Sequence, residues 1–410
     1  MSAPVYFQRG LGLGEAVRPQ IVGDYHSELV EKLRSRGQGV DIGAGKRRTT
    51  VRLAEEFGFC YGVERAVDYA YQTRQRFPDC NIYITGEIIH NPGVNGRLRE
   101  MGIRFLDGSG EAPWKLGDVG AEDVVILPAF GVPVAVMKRF NEIGCVLVDT
   151  TCGSVLNVWK NVERYARDGF TSVIHGKYAH EETAATASRA AGTSRGHYLV
   201  VRDLEQARRV CREIEGPADP EEFLARFAPA ISPGFDPGRH LERIGLANQT
   251  TMLSSESLQI AELLRASMVR RYGPEETALR FRSFDTICSA TQDRQDAVRK
   301  LIAEGVDLML VIGGYNSSNT GHLTRITAGS VPTYHIDGAS ALIDERRIRH
   351  LPVGRSETVT SDWLPLEDAL TAGVTAGAST PNSEVGRAID RLLHLRGFTP
   401  QEISARIGER

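Results

Sequence analysis

The chain has no C-x2-C pair, no apolar run long enough to cross a bilayer, and almost no net charge. Six cysteines in 410 residues are too few for a disulfide scaffold, and the missing C-x2-C removes the common zinc ribbon and knuckle. The longest apolar candidate, VVILPAFGVPVAVM, is interrupted by Pro128 and Pro133 and falls short of the roughly 20 residues a spanning helix needs. Lysine plus arginine (49) nearly balance aspartate plus glutamate (52), so the broad basic surface of a nucleic-acid binder is not expected. The opening MSAPVYFQRGLGLGEAVRP has no secretory apolar core, and Glu15, Asp24, Glu28 and Glu31 are unlike a transit composition. A cytoplasmic protein free of membrane and nucleic acid is therefore expected, with a plastid stroma as the equivalent place if no transit peptide is present. What the chain does have is 41% apolar residues, ample for the two or three domains that its length suggests.

Three of the six cysteines share a context. Cys60, in GFCYGVERAV, precedes Val63, Ala66, Val67, Ala70 and Tyr71, the spacing of a helix with one apolar face that Phe77-Pro78 ends. Cys152 precedes Val155, Val158, Trp159, Val162 and Ala166, and Cys288 precedes Ala297, Val298, Leu301 and Ile302, with Gly169 and Gly305 as stops. Each helix pattern runs into an apolar strand and then a polar loop: His90 follows Cys60 by 30 residues, His180 follows Cys152 by 28, and Ser317 follows Cys288 by 29. We read three copies of one unit. Alternation of this kind builds α/β layers with parallel strands, and such folds bind ligands in loops at strand carboxyl ends.

Three copies about a pseudo-threefold axis would bring three thiolates to one centre. Helix N-termini favour the thiolate. Three thiolates without a fourth protein ligand suit a 4Fe-4S cluster with one open iron; zinc held by three cysteines and one histidine remains an alternative. Cys80, Cys145 and Cys211 lack this context and are expected in the core.

The polar loops suit an anion. His90 and His180 can donate to phosphate oxygens, as can the run Asn316-Ser317-Ser318-Asn319. In VTAGASTPNSEVGRAI, Gly377 is expected to allow a tight turn, and Ser379-Thr380-Pro381 to open a helix whose N-terminus takes an anion. Two histidines, three hydroxyls and one amide fit a diphosphate better than a dicarboxylate, which would call for arginine. Glu181 and Glu182 follow His180 directly, and one of them beside a phosphate is expected to be a general acid with a raised pKa.

In chain order GFCYGVERAV, GEIIHN, DTTC, AHEE, NQTT, DTIC, ATQDRQ, YNSSNT and VTAGASTP resemble the 4-hydroxy-3-methylbut-2-enyl diphosphate reductase family, over about residues 50 to 395. The resemblance implies an α/β trefoil of three lobes around one 4Fe-4S cluster, held by Cys60, Cys152 and Cys288 with the fourth iron open. It implies that His90, His180, Ser317, Ser318, Asn319 and Ser379 bind the diphosphate. Glu182 would deliver protons, and Thr250 would help to position the substrate hydroxyl. The implied reaction is reductive dehydroxylation of the substrate to isopentenyl and dimethylallyl diphosphate, the last step of the methylerythritol phosphate route. Ferredoxin or flavodoxin would supply the electrons, and a homodimer stays open.

Three features set this chain apart from the shorter, enterobacterial form and resemble the plant and cyanobacterial branch. Phe130 stands where that form has a histidine, residues 1 to 50 are an extension, and about 190 to 243 form an insertion rich in proline (217, 220, 229, 233, 237). The extension is expected to cover a subunit or lobe surface. The expected division is lobe 1 at 51–149, lobe 2 at 150–284, lobe 3 at 285–372, and an anion loop, helix and tail at 373–410. The rival readings are a quinolinate-synthase-like 4Fe-4S dehydratase, which would need cationic contacts and no external electrons, and a non-enzymatic iron-sulfur or zinc sensor.

Overall fold

The computed structural model describes residues 5–106, 114–216 and 219–408. The chain forms two compact units, one of Met1–Leu11, Phe77–Ile88 and Met101–Cys288, the other of Gly12–Arg76, Ile89–Glu100 and Ser289–Arg410.

The first unit holds two parallel sheets. One has the strand order Tyr6–Phe7, Val146–Asp149, Val124–Leu127, Ile82–Thr85, Ile103–Leu106. The other has the order Phe281–Ser283, Ile244–Asn248, Thr171–His175, Tyr198–Val201. Strands such as VVIL at 124–127 are buried at every position, as expected when helices cover both faces of a parallel sheet. The segment 190–243 is built into this unit. It supplies the edge strand Tyr198–Val201 and the helices Leu204–Glu215 and Pro220–Phe227, whose Val210, Ile214, Phe223 and Phe227 join the core. Two of its prolines start α-helices: Asp219 and Asp236 cap N-termini with their carboxylates, and Pro220 and Pro237 follow where a missing N–H costs nothing. Pro217 lies outside the described residues.

The second unit is built on one sheet, with the order Thr333–Ile336, Leu308–Ile312, Leu370–Ala376, Thr49–Leu53, Gly39–Ile42, parallel except for the last pair. The antiparallel edge strand comes from the N-terminal extension. So do Val30 and Leu33, both fully buried in this unit's main core. The part of the extension from Gly12 onwards is therefore core-forming, a closer involvement than covering a surface.

The helices that follow the three cysteines run Tyr61–Arg76, Gly153–Arg167 and Ser289–Ala303, and the strands after them are Ile82–Thr85, Thr171–His175 and Leu308–Ile312. Among the described residues no helix is long and apolar enough to cross a membrane.

Candidate active site

Cys60, Cys152 and Cys288 each stand directly before the first residue of their helix and are half-buried. Cys145 and Cys211 are buried, and burial pushes both thiols up, Cys145 to about 11. That opposes thiolate formation, so these two sit as small apolar groups. Cys80, in the turn before Ile82–Thr85, is half-buried and not in the core as expected, because it precedes the strand that the helices cover.

The three cysteines are held by one backbone device. In each case the cysteine N–H donates to the carbonyl two residues beyond the end of a neighbouring parallel strand: Cys152 to Ala129 at 3.0 Å, Cys288 to Thr250 at 3.2 Å, Cys60 to Ala378 at 3.1 Å. Two residues earlier, the chain is tied to the end of that same strand. Thr150 donates its N–H and hydroxyl to Leu127, Thr286 exchanges hydrogen bonds with the backbone of Asn248, and Gly58 donates its N–H to Ala376. The repeated Asp-Thr-x-Cys is explained by this register. Its threonine locks the loop to the strand, and its aspartate accepts an N–H two residues on, from Thr151 at 2.8 Å and from Ile287 at 3.1 Å, a local Asx turn.

The anchoring residues are themselves braced. The Ala129 N–H donates to the Ile88 carbonyl at 3.4 Å, the Thr250 N–H to Glu182 Oε1 at 2.6 Å, and the Ala378 N–H to Asn319 Oδ1 at 2.9 Å. Glu182 and Asn319, from different polar loops, therefore occupy equivalent places in the repeat. Each holds the peptide that holds a cysteine.

In the first unit His180 is the N-cap of Glu181–Ala190, and its Nδ1 accepts the Glu182 N–H at 3.2 Å. In the neutral ring this places the proton on Nε2, a donor. Glu182 is 1% exposed and Thr250 5%. The Phe130 ring meets the His180 ring edge to face at 5.6 Å, an apolar contact. Gln249, passed over in the sequence, braces this region by accepting from the Lys177 N–H and the Thr183 hydroxyl.

In the second unit His90, Ser317, Ser318, Asn319 and Ser379 are all buried. Ser379 Oγ donates to the His90 carbonyl at 3.0 Å, Asn316 Nδ2 lies 3.4 Å from His90 Nδ1, and Ser317 caps Ser318–Ala328 by accepting from Thr320. A Cβ on Gly314 would stand 2.7 Å from the His90 carbonyl oxygen, so only glycine lets the two loops approach this closely. Gly377 opens the tight turn expected of it, its carbonyl accepting the Thr380 N–H at 3.0 Å, and it also permits a close approach, since a Cβ would lie 1.9 Å from Thr320 Oγ1. The helix after Ser379 begins at Asn382 with Pro381 as N-cap.

Asn319 Nδ2 is buried and makes no hydrogen bond, although Oδ1 of the same amide is used. A buried N–H group left unpaired is costly, and a ligand oxygen is the acceptor such a group would meet. Arg294, inside ATQDRQ, was not singled out in the sequence. It is 3% exposed, and its guanidinium donates to the carbonyls of Gly58 (2.7 Å), Phe59 (3.2 Å) and Ala290 (2.7 Å), fixing the turn before Cys60. Its donors serve the backbone rather than a substrate carboxylate.

Comparison with known proteins agrees with these features. The LytB protein family model matches residues 51–393. A Thermosynechococcus vestitus protein named 4-hydroxy-3-methylbut-2-enyl diphosphate reductase is 49% identical over 403 residues, covering 96% of each chain. One of the same name from Synechococcus sp. RCC307 is 50% identical over 391 residues, 95% of this chain and 94% of that one. The solved E-1-hydroxy-2-methyl-but-2-enyl-4-diphosphate reductase from Plasmodium falciparum superposes with a TM-score of 0.61 at 20% identity, covering 83% of this chain and 86% of that one. That likeness is one of fold, and it shows the α/β trefoil class expected from the three repeats. Matched across most of its length, and near one-half identical to cyanobacterial relatives, the chain belongs to the LytB protein family.

Proposed function

We infer that this protein is a 4-hydroxy-3-methylbut-2-enyl diphosphate reductase, an iron-sulfur oxidoreductase of the non-mevalonate isoprenoid route. The observation that supports the site most is the threefold anchorage of cysteine. Three separate loops use the same register to present a half-buried thiol at a helix N-terminus, whereas Cys145 and Cys211 are buried and inert. That donor set fits a 4Fe-4S cluster on Cys60, Cys152 and Cys288, with one lobe contributing each repeat and the lobes dividing near residues 150, 285 and 373. When bound, such a cluster passes electrons singly and offers an iron not taken by protein.

The overall change consumes two electrons and two protons, breaks the substrate's terminal C–O bond and releases water. His90, His180, Ser317, Ser318, Asn319 and Ser379 hold the diphosphate. Asn319 Nδ2 and His180 Nε2 are the donors with the clearest roles, the first because it is buried and unpaired, the second because Nδ1 is committed as acceptor. Thr250 positions the substrate hydroxyl. Glu182 delivers the proton that turns this hydroxyl into water, and its fixed hydrogen bond to the Thr250 N–H keeps the carboxylate beside the group it serves. The allylic carbanion equivalent left behind takes its proton at either end, giving isopentenyl or dimethylallyl diphosphate. A small ferredoxin or flavodoxin donates the electrons. A dehydratase acting on a dicarboxylate is disfavoured, because the buried arginine beside Cys60 is spent on carbonyls.

The test is anaerobic oxidation of reduced methyl viologen by the iron-loaded protein with 4-hydroxy-3-methylbut-2-enyl diphosphate, with products separated by chromatography. Both five-carbon diphosphates are expected, and Glu182→Gln should lower kcat by about 10² to 10⁴ with iron content unchanged, since the amide oxygen still accepts from Thr250. Turnover without a reductant, or none by a fully loaded protein, would overturn the reading.

A further inference from the structure

In the first unit, a cleft of about 520 Å3 opens on the insertion, lined by Arg195, His197, Arg239, His240, Glu242 and Arg243. We propose that this cleft is a second anion site, built to take a phosphate-bearing small molecule, a diphosphate in particular.

The charge balance is the first argument. Three arginines and two histidines face one carboxylate, Glu242. Several other arginines on and beside the insertion are neutralised: Arg209 pairs with Glu205 and Glu222, Arg226 with Glu205, and Arg270 with Glu215. The side chains of Arg195 and Arg239 make no hydrogen bond or ion pair among the described residues, and the Arg243 guanidinium lies over the Phe170 ring at 4.3 Å with no carboxylate partner. Unpaired guanidinium groups gathered in one concavity repel one another, a cost that a bound anion reverses.

The second argument is that the cleft is rigid. The rings of His197 and His240 stack with centroids 3.6 Å apart, and Phe235 packs edge-on against both. His240 Nδ1 accepts the Asp236 N–H at 2.8 Å, which puts the neutral ring's proton on Nε2, and His197 Nδ1 bonds Ser232 Oγ at 3.0 Å. Gly196 fixes the loop between Arg195 and His197, since a Cβ there would stand 2.1 Å from the Ala190 carbonyl. Burial holds both imidazoles below their ordinary pKa, helped by Arg239 at His197 and by the stacked His197 at His240, so the resting site keeps its positive charge on the arginines. The fork of a guanidinium matches phosphate oxygens two at a time. The cleft's volume suits a diphosphate rather than a polymer.

Equilibrium dialysis of the iron-loaded enzyme with radiolabelled inorganic diphosphate tests this. The wild type should bind one more equivalent than an Arg195→Gln/Arg239→Gln variant, whose kcat and KM in the reductase assay should stay within about twofold of wild type. His240→Gln, which removes the ring stacked on His197 and its Nε2 donor, should weaken the second equivalent severalfold. Displacement by isopentenyl diphosphate would identify an organic diphosphate as the ligand, and resistance to it the inorganic ion. Equal stoichiometry in wild type and the double variant would overturn the proposal, whatever the reductase assay shows.

Discussion

The loops before Cys152 and Cys288 and the loop before Cys60 reach the same register by different means. The first two carry Asp-Thr, whose side chains tie the turn to itself and to the neighbouring strand. The third has Phe57-Gly58 at those positions. Gly58 is left-handed, with φ at 78°, and a Cβ would lie 2.9 Å from Asn382 Oδ1, so threonine is excluded there. The polar work passes to Arg294, whose guanidinium clamps the carbonyls of Gly58 and Phe59. What the repeat keeps is the backbone register, while side chains that hold it differ. This is why the motif is spelled twice but built three times.

The largest effect should fall on the thiols. Alanine at Cys60, Cys152 or Cys288 should bring both iron content and reductase activity to background, whereas alanine at Cys80 should leave both near wild type; retained iron in any of the first three would break the equivalence of the loops. Next comes the clamp. Arg294→Met removes the donors to the Gly58 and Phe59 carbonyls and should cost about 3 kcal/mol of stability in denaturant unfolding, with iron affinity lowered about 10- to 100-fold through the Cys60 loop. An unaltered affinity would mean that Phe57-Gly58 needs no outside brace.

A pH titration should report on both units, since each contains a deeply buried strand histidine, and the second unit adds His350, which burial also lowers. Burial lowers His175 and His335 from 6.5 to about 4 each. Because the folded value lies below the unfolded one, each contributes stability that is complete above pH 6.5 and lost as pH falls towards 4, up to about 3 kcal/mol per site. His335→Gln should flatten this part of the stability curve, and a slope unchanged in that variant would remove the assignment. The smallest effects belong to the threonines. Thr150→Val and Thr286→Val should cost about 1 kcal/mol each, Thr286 somewhat more because its hydroxyl both accepts from and donates to Asn248.

Much of this was readable in the sequence because helix periodicity and strand runs are local. Val155, Val158, Trp159 and Val162 mark a helix face without reference to anything else, and all four are buried. The two Asp-Thr-x-Cys copies were likewise visible as a pattern. What was not readable depends on contacts distant in the chain. Nothing in ATQDRQ says that Arg294 reaches Gly58, more than 200 residues earlier. Nor could the close packing of Gly377 against Thr320 be read beside its turn. The prolines of the insertion looked like loop markers because proline breaks helices, but behind Asp219 and Asp236 they begin them.

Mössbauer spectroscopy of the protein loaded with 57Fe, before and after adding substrate, reads out the proposed binding of one 4Fe-4S cluster by three protein thiols. Three iron sites of one kind are expected, with one distinct site that alone shifts with substrate. Four equivalent sites, or a protein that takes up zinc in place of iron, would contradict that binding.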